Sequence, residues 1–430
     1  MNGGAKNTSD PHPNSLIFKI LDHDSLLLFT TRGVRLFAYG FLSVVLVLYL
    51  TELGLSETST GFLLSLTLLG DTLVSLWITT HADRLGRRLM LKISAILMLF
   101  AGILFVATQN FYLLLLAATI GVISPSGYEV GPFLSIEQAS LAHLIGDRQR
   151  THMFAWYNLV GSFTTALGAL SAGWLSQGLH ATGISLLNSY RAVILGYAGL
   201  GLALLFLFSR LTSVVEADHQ EETIQQVGLR SSWLGLRRSR AVVLRLSGLF
   251  IIDAFAGGFL IQSFVAYWFH VRFGVEPGLL GSIFFATNIL AGLSALSAAW
   301  VAGKIGLVNT MVFTHLPSNI LLILIPLMPS LGSAIVLLLA RYSISQMDVP
   351  TRQSYIMAVV DTDERSSAAG VTSVARTVGA SLAPIFAGFL YGNPLLLNAP
   401  FFVAGGLKII YDLGLYRSFR GIKPPEERSN

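Results

Sequence analysis

The sequence predicts an all-α integral membrane protein with twelve transmembrane helices in two pseudo-symmetric six-helix halves. Three observations carry that expectation. Hydrophobic residues make up 53% of the chain and charged ones only 12%, about half the charged share of a soluble domain. Strong apolar runs recur from Phe37 to Leu415, and a helix needs roughly 20 such residues to cross a bilayer. The second half of the chain also repeats positions of the first at nearly constant spacing. Hydrocarbon cannot satisfy an open backbone, and the runs lack the two-residue alternation of barrel strands, so helices are the spanning form.

The chain begins with a polar tail, residues 1–32, that carries the N-glycosylation sequon at Asn7. It lacks the compact apolar core and small-residue cleavage site of a signal peptide, so the first span is expected to act as an uncleaved anchor. First-half spans are expected near 33–52, 59–80, 89–108, 111–143, 153–177 and 190–210, making that half 33–210. A linker occupies 211–245. The second half, 246–415, holds spans near 246–270, 278–301, 308–327, 331–358, 368–391 and 396–415, and residues 416–430 form a closing tail. Spans four and ten are unusually long and contain Pro125, Pro132 and Pro350, which predicts bending or partial unwinding.

Alternate connections are basic: Arg84, Arg87 and Arg88; Arg148 and Arg150; the linker; Lys304; Arg365; and Arg417, Arg420 and Lys423. The opposite connections carry mainly Arg191 and Arg272. The positive-inside rule therefore places both termini and the linker in the cytoplasm. Topology, rather than nucleic-acid binding, accounts for the net charge of +5. In the linker, Glu216, Asp218, Glu221 and Glu222 precede Arg230, Arg237, Arg238, Arg240 and Arg245. With Trp233, Leu234 and Leu236 among the arginines, this segment reads either as a solvated tether or as a strip for the anionic inner leaflet. The chain has no cysteine, which excludes disulfides, thiolate metal sites and cysteine nucleophiles.

The repeat supports the span count. Gly54, Gly61, Arg84 and Gly86 match Gly274, Gly281, Lys304 and Gly306 at an offset of 220. Gln138, Arg150, Gly173 and Leu175 match Gln353, Arg365, Gly388 and Leu390 at an offset of 215. A shorter match lays Gly40-Phe41-Leu42 on Gly258-Phe259-Leu260, offset by 218. Parallel repeats related about the membrane normal place a binding cavity at their interface and predict alternating access.

Between spans two and three runs His81-Ala82-Asp83-Arg84-Leu85-Gly86-Arg87-Arg88, with a weaker copy at Gly303-Lys304-Ile305-Gly306. This loop resembles motif A of the major facilitator superfamily, and the resemblance covers about residues 33–415. It implies a secondary transporter in which Asp83, Arg84, Gly86, Arg87 and Arg88 form a cytoplasmic gate that latches one conformation. A glycine permits the tight turn, and the charges can bind neighbouring helix ends. The chain departs from the family pattern at Thr79 for the first glycine, at Ala117 for the motif B arginine, and in span five, which lacks a Gly-Pro pair. The second half does carry Arg341 in span ten and Ala383-Pro384 in span eleven.

Ionisable groups at membrane depth are costly and mark function. Arg341, Ser345, Asp348 and Arg352 are spaced by four, three and four in span ten, which puts them on one helical face. The repeat lays Glu137 on Arg352, and Arg35 on Asp253, each with its charge reversed. With Asp71, Glu129 and Arg376 these residues form the expected substrate or proton pathway, and Glu129 is the first candidate for a contact. The competing reading for Glu137 and Arg352 is a structural or gating ion pair. His315 is a secondary candidate, and Gly161, Gly168 and Gly173 serve close helix packing. No His-Glu-x-x-His or phosphate-binding glycine loop occurs, so neither an enzyme nor an ATP-driven pump is expected.

The leading expectation is a plasma-membrane, monomeric carrier that moves a small solute by alternating access, with proton-coupled efflux as its mode. Its partners are the solute, protons and the bilayer, with no nucleic acid, cofactor or metal. A passive facilitator, and a sensor or scaffold that keeps the transporter fold, are the alternatives.

Overall fold

The computed structural model describes residues 23–144, 147–216, 236, 238–361 and 364–422. The sequon at Asn7, the linker residues Asp218, Glu221, Glu222, Arg230, Trp233, Leu234 and Arg237, and Lys423 lie outside the described residues, as do the side chains of Arg148 and Arg150.

Every regular element among the described residues is helical. In the first half these are α1 (His23–Glu52), α2 (Glu57–Leu85), α3 (Arg87–Ala107), α4 (Phe111–Ile120), α5 (Phe133–Leu144), α6 (Asp147–Ala181) and α7 (Leu186–Ser209). The second contains α8 (Arg240–Gly258), α9 (Gln262–Phe273), α10 (Pro277–Ile305), α11 (Leu307–Leu324), α12 (Leu331–Ser345), α13 (Asp348–Val359), α14 (Arg365–Tyr391) and α15 (Ala399–Phe419). Among the described residues ten segments are long and apolar enough to cross a membrane, with α8 and α9 counted as one. The interrupted spans α4–α5 and α12–α13 complete the twelve.

Local chemistry places the helix ends. Ser56, Asn110, Ser185 and Ser330 cap α2, α4, α7 and α12 by accepting from backbone N–H groups in the first turn. Gly86 and Gly306 each separate consecutive helices by one residue at φ 102° and φ 85°, a backbone region open mainly to glycine. That requirement is a physical reason for the glycine match at the 220 offset. The first helix starts at His23, ten residues ahead of the expected span. The Asp24 carboxylate accepts from the Thr212 N–H at 3.1 Å and from its hydroxyl, tying this extension to the segment after α7.

Three spans are broken. In span four the helix stops at Ile120 and resumes at Phe133, and the intervening residues include Pro125 and Pro132. Span ten breaks at Gln346–Met347, so Pro350 falls in the first turn of α13, where its missing N–H costs nothing. Span seven breaks at Phe259–Ile261 without a proline, an interruption the sequence reading did not anticipate. The two breaks of spans four and seven satisfy each other. Ser263, in the first turn of α9, donates to the Pro125 carbonyl through its N–H at 3.2 Å and through its hydroxyl at 2.6 Å.

Small residues join the halves crosswise. A Cβ on Gly61 of α2 would lie 2.2 Å from the Pro384 carbonyl oxygen of α14, and one on Gly173 of α6 would lie 2.3 Å from that of Pro277 of α10. Gly61 also meets Gly388, and Gly173 meets Gly281, so the glycines matched by the repeat pack as a pseudo-twofold pair of backbone contacts. Hydrogen bonds across the same end link Glu57 with Tyr267, Gln177 with the Gly278 N–H at 2.9 Å, and Ser43 with Gln262 at 2.7 Å. Ile385, next to Pro384 inside the continuous α14, donates its N–H to Ser65 at 2.9 Å. The halves are thus fastened together at the end remote from Asp83–Arg88.

Candidate functional site

Two clusters of buried charge occupy corresponding positions in the two halves. In the first half, α1 presents Arg32 and Arg35 one turn apart, and span four supplies Glu129 from its unwound segment and Glu137 from α5. Arg35 is fully buried and grips Glu137 with both terminal nitrogens, at 2.7 and 2.8 Å, while its Nε donates to Glu129 at 2.9 Å. Arg32 pairs with the other oxygen of Glu129 and lies over the Tyr157 ring at 4.5 Å. Thr31 and Tyr157 add hydroxyl donors to Glu137. Two cations therefore meet two carboxylates, and each oxygen of those carboxylates is engaged.

The second half builds the counterpart with polarity inverted. Asp253 of α8 occupies the position of Arg35, and Arg352 of α13 that of Glu137. They pair at 3.2 Å, as Arg35 and Glu137 do. The aromatic support is retained as well, with Arg35 over Phe133 at 4.8 Å and Arg352 over Phe250 at 5.4 Å. Asp253 also accepts from Arg376 of α14 at 3.0 Å and from Lys408 of α15 at 2.6 Å, and Arg352 donates to Asp348 at 3.1 Å. Such groups are held in a low-dielectric interior only when paired and hydrogen-bonded.

Lys408 sits one turn before Asp412 on α15. Asp412 is fully buried, its oxygens 2.8 Å from His315 Nδ1 and 2.8 Å from the Asn319 amide of α11. His315 is thus not a lone helix contact but half of a buried dyad beside the Asp253 cluster.

The sequence-derived candidates divide accordingly. Arg35, Glu129 and Glu137 come together, and Asp253, Asp348, Arg352 and Arg376 come together. Asp71 is buried next to Gly131 of the span-four break and pairs with no cation among the described residues. The single stripe expected along span ten does not hold. The break after Ser345 leaves Asp348 and Arg352 in the cluster, while Arg341 stands apart over the Tyr342 ring at 5.0 Å.

In the motif A loop, Asp83, its side chain 57% exposed, pairs at 2.8 Å with Arg87, the first residue of α3, and Arg87 Nη1 donates to the Val215 carbonyl at 3.4 Å. Glu216 joins them, accepting from the Arg87 N–H at 2.6 Å and the Arg88 N–H at 3.4 Å and so capping α3. Arg84 is exposed, and Gly86 supplies the turn.

Sequence reasoning missed Arg32, Tyr157, Lys408, Asp412 and Glu216. Arg32 falls in the ten residues by which the first helix extends ahead of the span expected from the sequence. Lys408 and Asp412 at an i, i+4 spacing inside span twelve were a signal available in the sequence.

A twelve-span bundle in two like halves, with ionised side chains buried between its helices, is the build of a polytopic membrane carrier. Residues 28–384 match the family model described as Major Facilitator Superfamily, and the chain belongs to that family. It is a transporter of small solutes and not an enzyme. It is 31% identical to the uncharacterized membrane protein YJR124C of Saccharomyces cerevisiae, covering 94% of this chain and 96% of that one. A 141-residue stretch, 33% of this chain and 35% of the other, is 26% identical to the quinolone resistance protein NorA of Staphylococcus aureus. A mutant of the nucleoside transporter NupG shares the fold with a TM-score of 0.72 at 15% identity, covering 92% of this chain and 99% of that one.

Proposed function

We propose that this protein is a proton-coupled secondary transporter working in the plasma membrane as a monomer, with both termini and the linker in the cytoplasm. Residues 33–210 and 246–415 rock against each other about the solute, with 211–245 as their tether and 1–32 and 416–430 as tails. The observation that carries the reading is the pair of charge-reversed clusters, Arg35–Glu137 and Asp253–Arg352, set at like depth in the two halves. A ligand drives a conformational change only through different affinity for the two states. Ion pairs whose partners sit on several helices of one half can supply that difference when a solute or proton competes for a carboxylate.

Glu129 is the first candidate for that competition. It lies in unwound backbone, where its side chain keeps 15% exposure while two arginines hold it. His315–Asp412 is the second candidate, next to Lys408. The residues fastening the halves at the Gly61 and Gly173 end support a carrier closed on that side, and the 57% exposure of Asp83, paired among the described residues only with Arg87, supports a released motif A latch. Efflux as the direction draws its support from the partial likeness to a drug-resistance protein.

The buried apolar Ala117 in the motif B position favours a second reading, passive facilitated diffusion. One experiment separates the two: solute uptake into proteoliposomes with and without an imposed pH gradient. Accumulation beyond equilibrium only with the gradient is expected. Equilibration indifferent to the gradient would establish a facilitator, and absence of protein-dependent flux in folded vesicles would refute transport.

A further inference from the structure

We infer that the transported solute is a small organic anion whose acidic group docks on Arg376, an inference that rests on the transport reading above. The argument is a balance of charge. In the first-half cluster Arg32 and Arg35 are matched by Glu129 and Glu137, and both carboxylates are saturated. In the second-half cluster Arg352, Arg376 and Lys408 share only Asp253 and Asp348. One cation is left over. Asp412 of α15 accepts from Asn319, meets His315 and lies in the field of Lys408, so the surplus stands in the state where a protonated His315 neutralises Asp412. Asp71 belongs to the other half, against Gly131.

The surplus is concentrated on Arg376. Its side chain is 35% exposed, while those of Arg352, Lys408 and Asp253 are at 6%, 11% and 5%. Only its Nη1 is engaged by a carboxylate, which leaves most of a planar five-donor fork free. Arg376 lies on the packed side of α14, with the buried Thr372, Gly379 and Ala383. The lipid-facing side of α14 is marked by Val374, Val378, Leu382 and Phe386, all exposed, and Arg376 lies two residues from Val374 and Val378, across the helix from them.

A second under-neutralised arginine supports the same sign. Arg341 pairs with no carboxylate among the described residues, and its buried Nε has no hydrogen-bond partner. A guanidinium at membrane depth with no fixed counter-charge is costly. A mobile anion relieves that cost, and a carboxylate, sulfonate or phosphate monoester fits the bidentate fork. A cationic solute would meet repulsion at the same place.

The test is the charge selectivity of the unmodified full chain in proteoliposomes, read by mass spectrometry. The probes are benzoate, succinate, benzenesulfonate and phenyl phosphate against neutral benzamide and xylose and cationic choline and tetraphenylphosphonium. Protein-dependent flux of anions and not of the other two groups is expected. Arg376→Gln should raise the anion's KM about tenfold or more, the worth of one charge-assisted hydrogen bond, and Arg376→Lys should recover part of the loss. Flux confined to neutral or cationic probes would overturn the anion assignment and leave the transport reading standing. So would an unchanged anion KM in Arg376→Gln. Flux of none of the eight probes by folded protein would overturn both.

Discussion

Glu137→Gln is expected to be the most destabilising single change among the interior charges of the first half. Glu137 is fully buried and accepts from Thr31 at 2.8 Å, from Arg35 Nη1 at 2.7 Å, from Arg35 Nη2 at 2.8 Å and from the Tyr157 hydroxyl. Glutamine offers the same shape with one accepting oxygen and one donating NH2. Whichever way it is turned, the NH2 faces an Arg35 nitrogen that is itself a donor. At least one charge-assisted bond is lost, worth about 1.5–3 kcal/mol. Arg35 then keeps one bond to the amide oxygen and its Nε bond to Glu129 at 2.9 Å. Removing one partner of a buried pair costs about 3–5 kcal/mol in total.

Glu129→Gln should cost less than half of that. Its side chain is 15% exposed, and Arg32 retains the Tyr157 carbonyl at 3.3 Å and Asn158 at 3.4 Å. Unfolding titrations in mixed micelles measure both variants against the parent. The double change Arg35→Met with Glu137→Met should recover much of the loss, because it leaves no unpaired charge at that position. A Glu137→Gln protein within about 1 kcal/mol of the parent, or no less stable than Glu129→Gln, would refute the assignment of a tight buried pair.

Three further outcomes follow from the geometry. Gly61→Val places a Cβ where the Pro384 carbonyl oxygen lies 2.2 Å away, so the fastened end should open; because the chain has no cysteine, a single cysteine at Ser43 reports this as faster labelling by a membrane-impermeant maleimide, and an unchanged rate would count against the closure. Asp83→Asn should cost under about 1 kcal/mol, since its pair is exposed, while Glu216→Gln removes the charged cap of α3 and should cost about 1–2 kcal/mol; unfolding titrations that reverse this order would show that the loop carries its load through Asp83. His315→Gln should abolish gradient-driven accumulation yet preserve solute exchange at equal pH, since the ring meets Asp412 directly, has Asn319 and Tyr411 beside it and acts electrostatically on Asp253; accumulation that survives the change would remove the dyad from coupling.

Much of the architecture was legible because bilayer solvation acts on local sequence. An apolar run of bilayer length has few options, and a glycine required at positive φ recurs wherever the same turn recurs, as Gly86 and Gly306 do. The charge reversal was legible too, since Arg35 with Asp253 and Glu137 with Arg352 follow from the repeat alone. The pairings were harder. Arg35 reaches Glu137 over 102 positions and Arg352 reaches Asp253 over 99, and no local pattern reports a contact of that range.

What the sequence determined by itself was the solvent, the span count, the duplicated halves and the charged residues at membrane depth, because each depends on composition or on short-range periodicity. Tertiary structure alone decided which charges neutralise one another and which do not. It showed that span seven unwinds without a proline because the Pro125 carbonyl takes up its Ser263 amide. It also added Glu216 to the helix-end contacts of Asp83 and Arg87, and it left Arg376 with the spare donors. Those outcomes are set by distances between helices far apart in the chain, and in a low-dielectric interior a few ångströms separate a neutralised pair from a charge in need of a partner.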